Sequence, residues 1–234
     1  MNFKRIISLI TCTMLVLSFC VSVSGVDDTS AGSVYYSGDT NEKLVALTFD
    51  DGPHKYRTPE ILDILDKYNV KATFFVVGAM AHEYKDIIKR EINSGHEIGN
   101  HTYNHSKMRK LSYEGLIKEL EATENELFEI AEYRPKLFRP PEGYYSDQIA
   151  KAVGKIDYNI ILWNIDTLDW AHNEVDKICS CVKEGIKPGS IILFHDYVVG
   201  KSPTCPALEA IIPELLSQGY KFVTVSELIN NEIT

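Results

Sequence analysis

The sequence predicts an α/β fold in which parallel strands form a barrel or barrel-like sheet surrounded by helices. Short apolar runs alternate with helical patterns over most of the chain, which is typical of parallel strands joined by crossover helices. The apolar runs are also nearly uninterrupted, as expected of strands buried on both faces. At 234 residues with 44% hydrophobic content, the chain is long enough for one such domain.

Seven apolar runs are strand candidates. They are LVALTF (44–49), ATFFVV (72–77), HEIGN (96–100), KLF (136–138), YNIILW (158–163), SIILF (190–194) and YKFVTV (220–225). Helical patterns lie between them, over about 58–68, 82–93, 112–133, 146–153, 173–184 and 207–217. The alternation begins near residue 42, so we predict a single domain over residues 42–234.

The N-terminus predicts a signal peptide over residues 1–25. Two cations precede an apolar run from Ile6 to Val21, and small residues that suit peptidase cleavage follow. An uncleaved membrane anchor is the alternative, because the run is close to the length that spans a bilayer. Residues 26–41 are polar, without apolar periodicity, and predict a flexible leader. We expect a protein that is secreted or cell-wall associated, with no stable membrane association after cleavage.

Charge and cysteine content argue against two classes of function. The formal charge is −9, and cleavage of the leader would leave 22 basic residues against 33 acidic ones, a charge of −11. Such a chain lacks the basic surface that nucleic acid requires. Cys179, Cys181 and Cys205 remain after cleavage, and either Cys205 pairs with one of the others or all stay reduced. No pair has CxxC spacing, so a cysteine-bound structural zinc has no support.

Polar residues that are unusual beside apolar runs follow five of the strand candidates. They are Asp50 and Asp51, then His101, then Arg139, then Asp166 and Asp169, and finally His195. In a parallel barrel the carboxyl ends of the strands share one face, where catalytic groups collect. Five separate segments are therefore predicted to converge on one site.

His101 and His105 are predicted to share a metal ion. Two imidazoles four residues apart lie on one side of a helical turn, and an anionic third ligand would complete a site with an open position for water. Asp50 and Asp51 supply that anion. Adjacent side chains on an extended backbone point to opposite sides, so one carboxylate can bind metal while the other faces a water. A plain turn is the alternative explanation for the two aspartates and the Gly-Pro that follows them.

His195 is a candidate for proton transfer, because imidazole has a suitable pKa near neutral pH. Asp169 or Asp166 could fix its tautomer. A lone histidine after a strand is more often structural, so the catalytic interpretation depends on the polar residues at the neighbouring strand ends.

Taken in order, the motifs around these residues resemble those of the polysaccharide deacetylases of carbohydrate esterase family 4. The motifs are TFDDGP (48–53), NHTYNH (100–105), RPPEG (139–143), DTLDW (166–170) and LFH (193–195). The resemblance covers residues 43–228 and implies a distorted (β/α) barrel with seven or eight parallel strands. It also implies that residues 42–234 form a catalytic domain that hydrolyses acetyl groups from a polysaccharide.

The resemblance further implies a role for each motif residue. The metal, zinc or cobalt, would be bound by Asp51, His101 and His105. The catalytic residues would be Asp50 as base, Arg139 that holds it, His195 as general acid and Asp169 that orients it. The substrate-binding residues would be Pro140, Glu142, Trp170 and Leu193, of which Trp170 and Leu193 wall the pocket for the acetyl methyl group.

Glu142 departs from the family pattern, which often has Tyr at this position. The implied oxyanion donor there is the main-chain N–H, so the donor would remain while the shape and charge of the groove change. We expect a monomer whose partner is a polysaccharide or oligosaccharide substrate. The leading hypothesis is N-deacetylation of N-acetylglucosamine units in peptidoglycan or a chitin-like oligomer.

Three other functions are alternatives. O-deacetylation of acetylated xylan would use the same site. A glycosidase with paired carboxylates would give the two histidines no role. A non-catalytic glycan-binding protein would not need all of the polar residues at the strand ends.

Overall fold

The computed structural model describes residues 32–171, 174–198 and 200–230, so the predicted signal peptide lies outside the described residues. The strands are β1 Val34–Tyr35, β2 Leu44–Asp50, β3 Thr73–Val76, β4 Glu97–Asn100, β5 Leu137–Phe138, β6 Asn159–Ile161, β7 Ile165–Asp166, β8 Ser190–His195 and β9 Lys221–Phe222. The helices are α1 Arg57–Tyr68, α2 Gly78–Glu83, α3 Lys85–Asn93, α4 Tyr113–Ala131, α5 Asp147–Gly154, α6 Val175–Gly185, α7 Thr204–Ser217 and α8 Val225–Asn230.

The strands form one curled sheet in the order β1-β6-β5-β4-β3-β2-β8-β7, and β9 pairs with the start of β2. Every pairing between these strands is parallel. The predicted distorted (β/α) barrel is therefore confirmed, with eight parallel strands along the curl. β2 lies between β3 and β8 and is buried over its whole length.

Alternate residues of β2 face two different layers, as the period of a strand requires. Val45, Leu47 and Phe49 pack with α1 and α7 in the layer between sheet and helices. Leu44 and Ala46 pack in the barrel interior. By the same alternation the next interior positions are Thr48 and Asp50, so the strand carries a carboxylate on its inner face at its carboxyl end.

The sheet register brings the other strand ends to Asp50. In the pairing of β2 with β8, Asp50 lies opposite His195, and β3 connects β2 to β4, whose last residue precedes His101. The chain leaves β5 at Arg139, next to the end of β4. The predicted convergence of separate segments on one face is thus present in the fold.

The elements of the structure differ from the predicted ones in several places, and β7 (Ile165–Asp166) is not among the predicted strands. Residues 34–35, inside the predicted flexible leader, form β1 and pair with β6, so the domain starts before residue 42. The predicted helix over 82–93 is two helices, α2 and α3. The predicted strand over 220–225 is the short β9 followed by α8. The strands concerned are two residues long and pair over a long range of sequence, and the predicted helix is interrupted at Tyr84, whose φ of −120° and ψ of 50° are not helical.

Candidate active site

The two neighbouring aspartates have different surroundings. Asp50 ends β2 and is buried. Asp51 has a left-handed backbone, with φ 78°, and its Oδ1 lies 3.3 Å from His101 Nε2 and 3.1 Å from His105 Nε2. Extended-strand alternation predicts that the two carboxylates diverge. They do not: both carboxylates line the same cleft and lie near His101 Nε2, at 3.9 Å for Asp50 Oδ2 and 3.3 Å for Asp51 Oδ1, because the left-handed conformation of Asp51 turns its side chain to the histidines.

His101 and His105 meet through a loop rather than a helical turn. Residues 101–107 contain no helix, so the predicted helical turn is wrong. Thr102 and His105 have positive φ angles of 68° and 51°, and these left-handed positions fold the loop back on itself. The two imidazole rings nevertheless lie with their centroids 5.1 Å apart. The spacing of four residues therefore predicts the contact between the two histidines correctly, although a loop and not a helical turn brings them together.

The donor set formed by Asp51, His101 and His105 fits a divalent metal. One ligand atom from each residue lies within 4.8 Å of the others. His101 Nδ1 lies 2.7 Å from the carbonyl oxygen of Arg139, so the Nδ1–H donates there and Nε2 keeps its lone pair for a metal. Although burial raises the pKa of Asp51, its hydrogen bonds to the two histidines lower that pKa well below its usual range. A carboxylate with two imidazoles is a set typical of zinc with an open position.

Arg139 holds Asp50 from below the cleft. Its fully buried guanidinium donates from Nη1 to Asp50 Oδ1 at 2.7 Å and to Thr48 Oγ1 at 2.8 Å. Its Nε and Nη2 donate to the carbonyl oxygens of Ile161 and Leu162, each at 3.1 Å. One carboxylate oxygen of Asp50 is therefore fixed, and the other, Oδ2, lies 3.9 Å from His101 Nε2 on the metal side.

His195 is oriented by Asp169. Its Nδ1 lies 2.8 Å from Asp169 Oδ1, and its main-chain N–H donates to Asp169 Oδ2 at 2.9 Å. Thr204 and the main chain of Trp170 also donate to this buried carboxylate. Burial lowers the pKa of His195, but the hydrogen bond to Asp169 and the nearby carboxylates raise it to about 9. With Nδ1 engaged, Nε2 is the nitrogen available to a ligand.

Of the two aspartates predicted as partners for His195, the structure selects Asp169. Asp166 instead accepts the main-chain N–H of Leu168 at 3.0 Å, which is a local turn contact. Asp166 still contributes to the wall of the cleft.

Most of the predicted site residues line one cleft of about 480 Å³. Those on its wall are Asp50, Asp51, His101, His105, Glu142, Trp170, Leu193 and His195. Arg139 and Asp169 lie behind the wall and act on it through the contacts described above. Pro140 is buried and is not on the wall. Its carbonyl accepts the N–H of Gly143, so it shapes the turn at 141–143 that carries Glu142.

Gly143 and Trp163 also line the cleft and were not predicted. Gly143 has φ 64°, and a Cβ there would lie 2.8 Å from the Trp163 ring, so the tryptophan packs directly on the glycine. Trp163 ends the apolar run YNIILW. The rule for polar residues just after strands does not reach it, because Trp163 is aromatic and is the last residue of the predicted strand.

Comparison with known proteins identifies the family. A sequence model described as polysaccharide deacetylase matches residues 37–161. A peptidoglycan-N-acetylglucosamine deacetylase of Bacillus cereus is 42% identical over 200 residues, which are 85% of this chain and 93% of that protein. This chain belongs to the polysaccharide deacetylase family. The family predicted from the five motifs is therefore confirmed.

Solved structures of family members are also similar to this deacetylase-family chain. The Bc1960 peptidoglycan N-acetylglucosamine deacetylase, in complex with 4-naphthalen-1-yl-N-oxidanyl-benzamide, has a TM-score of 0.82 and 39% identity, covering 84% of this chain and 92% of that one. A family 4 acetyl xylan esterase from Clostridium thermocellum, in complex with a cobalt ion, has a TM-score of 0.73 and 42% identity, covering 79% of this chain and 89% of that one.

Two further observations concern the predicted setting of the chain. Cys179, Cys181 and Cys205 are all free thiols, which agrees with the reduced alternative. Within the ranges that the structure describes, no helix is both long and apolar enough to cross a bilayer.

Proposed function

We propose that this chain is a secreted or cell-wall-associated, monomeric hydrolase that depends on a divalent metal and removes N-acetyl groups from N-acetylglucosamine units of peptidoglycan or a chitin-like oligomer. The observation that carries the proposal is one cleft that combines three convergent metal ligands, a carboxylate held by a buried arginine, and a histidine held by a buried aspartate. The names of the relatives support this substrate class.

Asp51, His101 and His105 would hold the metal, zinc or cobalt. A cation of this kind, when bound, polarises a carbonyl oxygen and makes a bound water more acidic. The cobalt ion in the acetyl xylan esterase structure supports the assignment of the cleft as a metal site.

Asp50 is assigned as the general base. Its Oδ2 is free of Arg139 and lies on the metal side of the cleft, where it can accept a proton from water as the water oxygen attacks the acetyl carbon. Arg139 keeps the carboxylate in place through Oδ1. The acetyl oxygen gains negative charge in this step, and we assign the main-chain N–H of Glu142 as a donor to it.

His195 is assigned as the general acid. The bond between the acetyl carbon and the sugar nitrogen breaks as His195 Nε2 gives its proton to that nitrogen, so the products are acetate and a free amine. Asp169 binds Nδ1 and stabilises the protonated ring. Trp170 and Leu193, both on the cleft wall, would enclose the acetyl methyl group.

O-deacetylation of acetylated xylan is a second candidate, because the family 4 acetyl xylan esterase is 42% identical to this chain. The same residues can attack an ester. An oxygen leaving group also needs less protonation by an acid than a nitrogen does, so the same site is suited to ester hydrolysis.

Acetate release from three polymers tests the proposal. The metal-loaded protein is incubated with peptidoglycan, an N-acetylglucosamine oligomer and acetylated xylan, and acetate and new reducing ends are both measured. We expect acetate from the first two and no reducing ends, with activity lost on chelation and restored by zinc or cobalt. Acetate from xylan alone would favour the second candidate. New reducing ends would indicate a glycosidase, and no acetate from any polymer would indicate a binding protein.

A further inference from the structure

The catalytic cleft continues into two further hollows in one direction. A hollow of about 310 Å³ adjoins it and shares Asp51 and His105 with it as lining residues. Tyr197 also lines that hollow, and it lines a third one, of about 450 Å³, together with His54 and Tyr56. Because each hollow shares at least one lining residue with the next, the three lie side by side in a row that starts at the metal site, and we refer to this row as the groove.

The far end of this groove carries an exposed aromatic ledge, which we define as His54, Tyr56 and Tyr197. The side chains of Tyr56 and Tyr197 are 64% and 40% exposed. The His54 ring lies 5.1 Å from the Tyr197 ring, edge to face, and 6.1 Å from the Tyr56 ring. His54 Nδ1 accepts the main-chain N–H of Tyr56, so the ring between the two tyrosines is fixed. None of the three has a role in the hydrolysis proposed above.

The chemistry of the ledge fits a sugar. Aromatic rings give an apolar contact face with a polar edge, and ligand sites combine such faces with a few polar groups. A pyranose has the matching form, with an apolar C–H face and a rim of hydroxyl groups. Arg57 borders the ledge and pairs with Glu60 at 3.2 Å. Lys55 Nζ lies 5.3 Å from the centroid of the Tyr56 ring, so the ledge also offers a cation to polar or acidic substituents of a sugar.

We propose that the groove holds the same glycan strand as the metal site, with a further sugar unit stacked on His54, Tyr56 and Tyr197. The inference rests on the proposed function, and it adds the path that the glycan strand takes from the metal site. The strand would leave the metal site past His105 and Tyr197, and the protein would prefer oligomers long enough to reach the ledge. Because the hollows adjoin the cleft and share lining residues with it, we assign the occupant as more of the same substrate.

A second cavity provides a matched control. It measures about 230 Å³, is lined by Arg109, Tyr113 and Tyr144 among others, and shares no lining residue with the catalytic cleft. Tyr113 is 51% exposed, which is similar to the ledge tyrosines. Tyr113→Ala therefore removes an equally exposed aromatic ring from a hollow that is not part of the groove.

The first test is the ratio of kcat/KM for an N-acetylglucosamine pentamer to that for the dimer. We expect the Tyr56→Ala, Tyr197→Ala double variant to lower this ratio roughly tenfold, which corresponds to about 1.4 kcal/mol of lost contact. Tyr113→Ala should leave the ratio as in the parent, and Tyr56→Phe, Tyr197→Phe should largely preserve it because the rings remain. Thermal unfolding and metal content show that each variant is folded and loaded. An unchanged ratio in the alanine double variant, or an equal fall in Tyr113→Ala, would overturn the inference.

The second test separates this inference from the proposed function. Calorimetry measures binding of the pentamer and the dimer to metal-loaded Asp50→Asn protein, with and without the two tyrosine-to-alanine changes. We expect tighter binding of the pentamer, and loss of most of that advantage without the tyrosines. A parent that releases no acetate but shows this binding pattern would contradict the proposed function and support the groove. Equal binding of the two oligomers to Asp50→Asn would overturn the groove, whatever the activity.

Discussion

The two sides of the cleft are held in place in different ways. We call the proposed metal ligands, Asp51, His101 and His105, the ligand side, and the residues proposed to act in proton transfer, Asp50, Arg139, Asp169 and His195, the proton-transfer side. On the ligand side Asp51 and His105 have left-handed backbones, and their side chains are 28% and 42% exposed. No residue of the proton-transfer side has a positive φ, and its two carboxylates are buried against charged partners.

This difference indicates which unfavourable free-energy contribution each side contains. A left-handed non-glycine residue costs on the order of 1 to 3 kcal/mol, and a bound cation would offset that cost on the ligand side. The proton-transfer side is instead stabilised by buried ion pairs, which become costly only when one partner is removed. Changes to the proton-transfer side should therefore spare the metal, and changes to the ligand side should not.

The largest effect should come from breaking the pair between Arg139 and Asp50. Arg139→Met leaves the Asp50 carboxylate buried without its cation, so we expect the free energy of unfolding to fall by about 3 to 5 kcal/mol and turnover to be lost. Urea unfolding measures the first and acetate release the second. Adding Asp50→Asn to Arg139→Met should recover part of the lost stability.

Arg134→Ala is the matched control for Arg139, because Arg134 pairs with Glu124 at 2.6 Å on the surface. Its loss should cost less than about 1 kcal/mol. Similar costs for the two arginine variants would show that the buried pair does not hold the proton-transfer side together.

A smaller and more selective effect is expected for His195. An amine cannot leave without a proton, whereas an activated phenol leaves as its anion. His195→Ala should therefore lose on the order of 10² to 10⁴ in rate on an N-acetylglucosamine oligomer and much less on an aryl acetate, at full metal loading. Equal losses on the two substrates would mean that His195 is not the acid for the leaving group.

Asp169→Asn should shift the pH profile rather than abolish the reaction. The Asp169 carboxylate is the main favourable contribution to the protonated form of His195, whose pKa is raised to about 9 despite burial. Without that charge the pKa of His195 falls, so the acid form is lost at lower pH. The alkaline limb of the pH profile of kcat for the oligomer should move to lower pH. If it does not move, that limb does not report the titration of His195.

The smallest effect should be at Glu142, which pairs with Lys107 at 3.2 Å on the rim of the cleft. Glu142→Tyr removes the charge and this ion pair but keeps the main-chain N–H. We expect it to change the preference among glycans more than the hydrolysis of a minimal acetyl substrate, compared by kcat/KM. Lys107→Ala breaks the same ion pair and serves as the control. Equal losses on glycans and on the minimal substrate would contradict a role for the side chain in substrate choice.

Most of the site could be predicted from the sequence, because its polar residues directly follow buried strands and the carboxyl ends of parallel strands meet on one face. Asp50, His101, Arg139 and His195 were predicted from this rule, and the sheet register brings them together. The choice of Asp169 over Asp166 depends on the turn between them, where Leu168 has a positive φ of 52°. Neither residue type nor spacing reports such a conformation.

Backbone conformation and long-range pairing also explain the other differences. Two of the proposed metal ligands, Asp51 and His105, have left-handed backbones, and although aspartate and histidine are enriched at such positions among residues other than glycine, neither residue type alone predicts the conformation. Val34 and Tyr35 pair with β6, more than a hundred residues away. The polar residues around them also give no apolar alternation that would predict a strand. The rules that predict strands are local, and these features are not.

Metal content and turnover, measured together in Asp50→Asn and Asp51→Asn, test the division between the two sides most directly. Both variants remove one carboxylate charge from adjacent residues with little change in size, so each is the control for the other. We expect Asp50→Asn to keep one equivalent of zinc or cobalt and lose nearly all turnover on an N-acetylglucosamine oligomer, and Asp51→Asn to lose the metal and activity together. Loss of the metal from Asp50→Asn with full metal content in Asp51→Asn would contradict the account, because the ligand and the base would then be reversed.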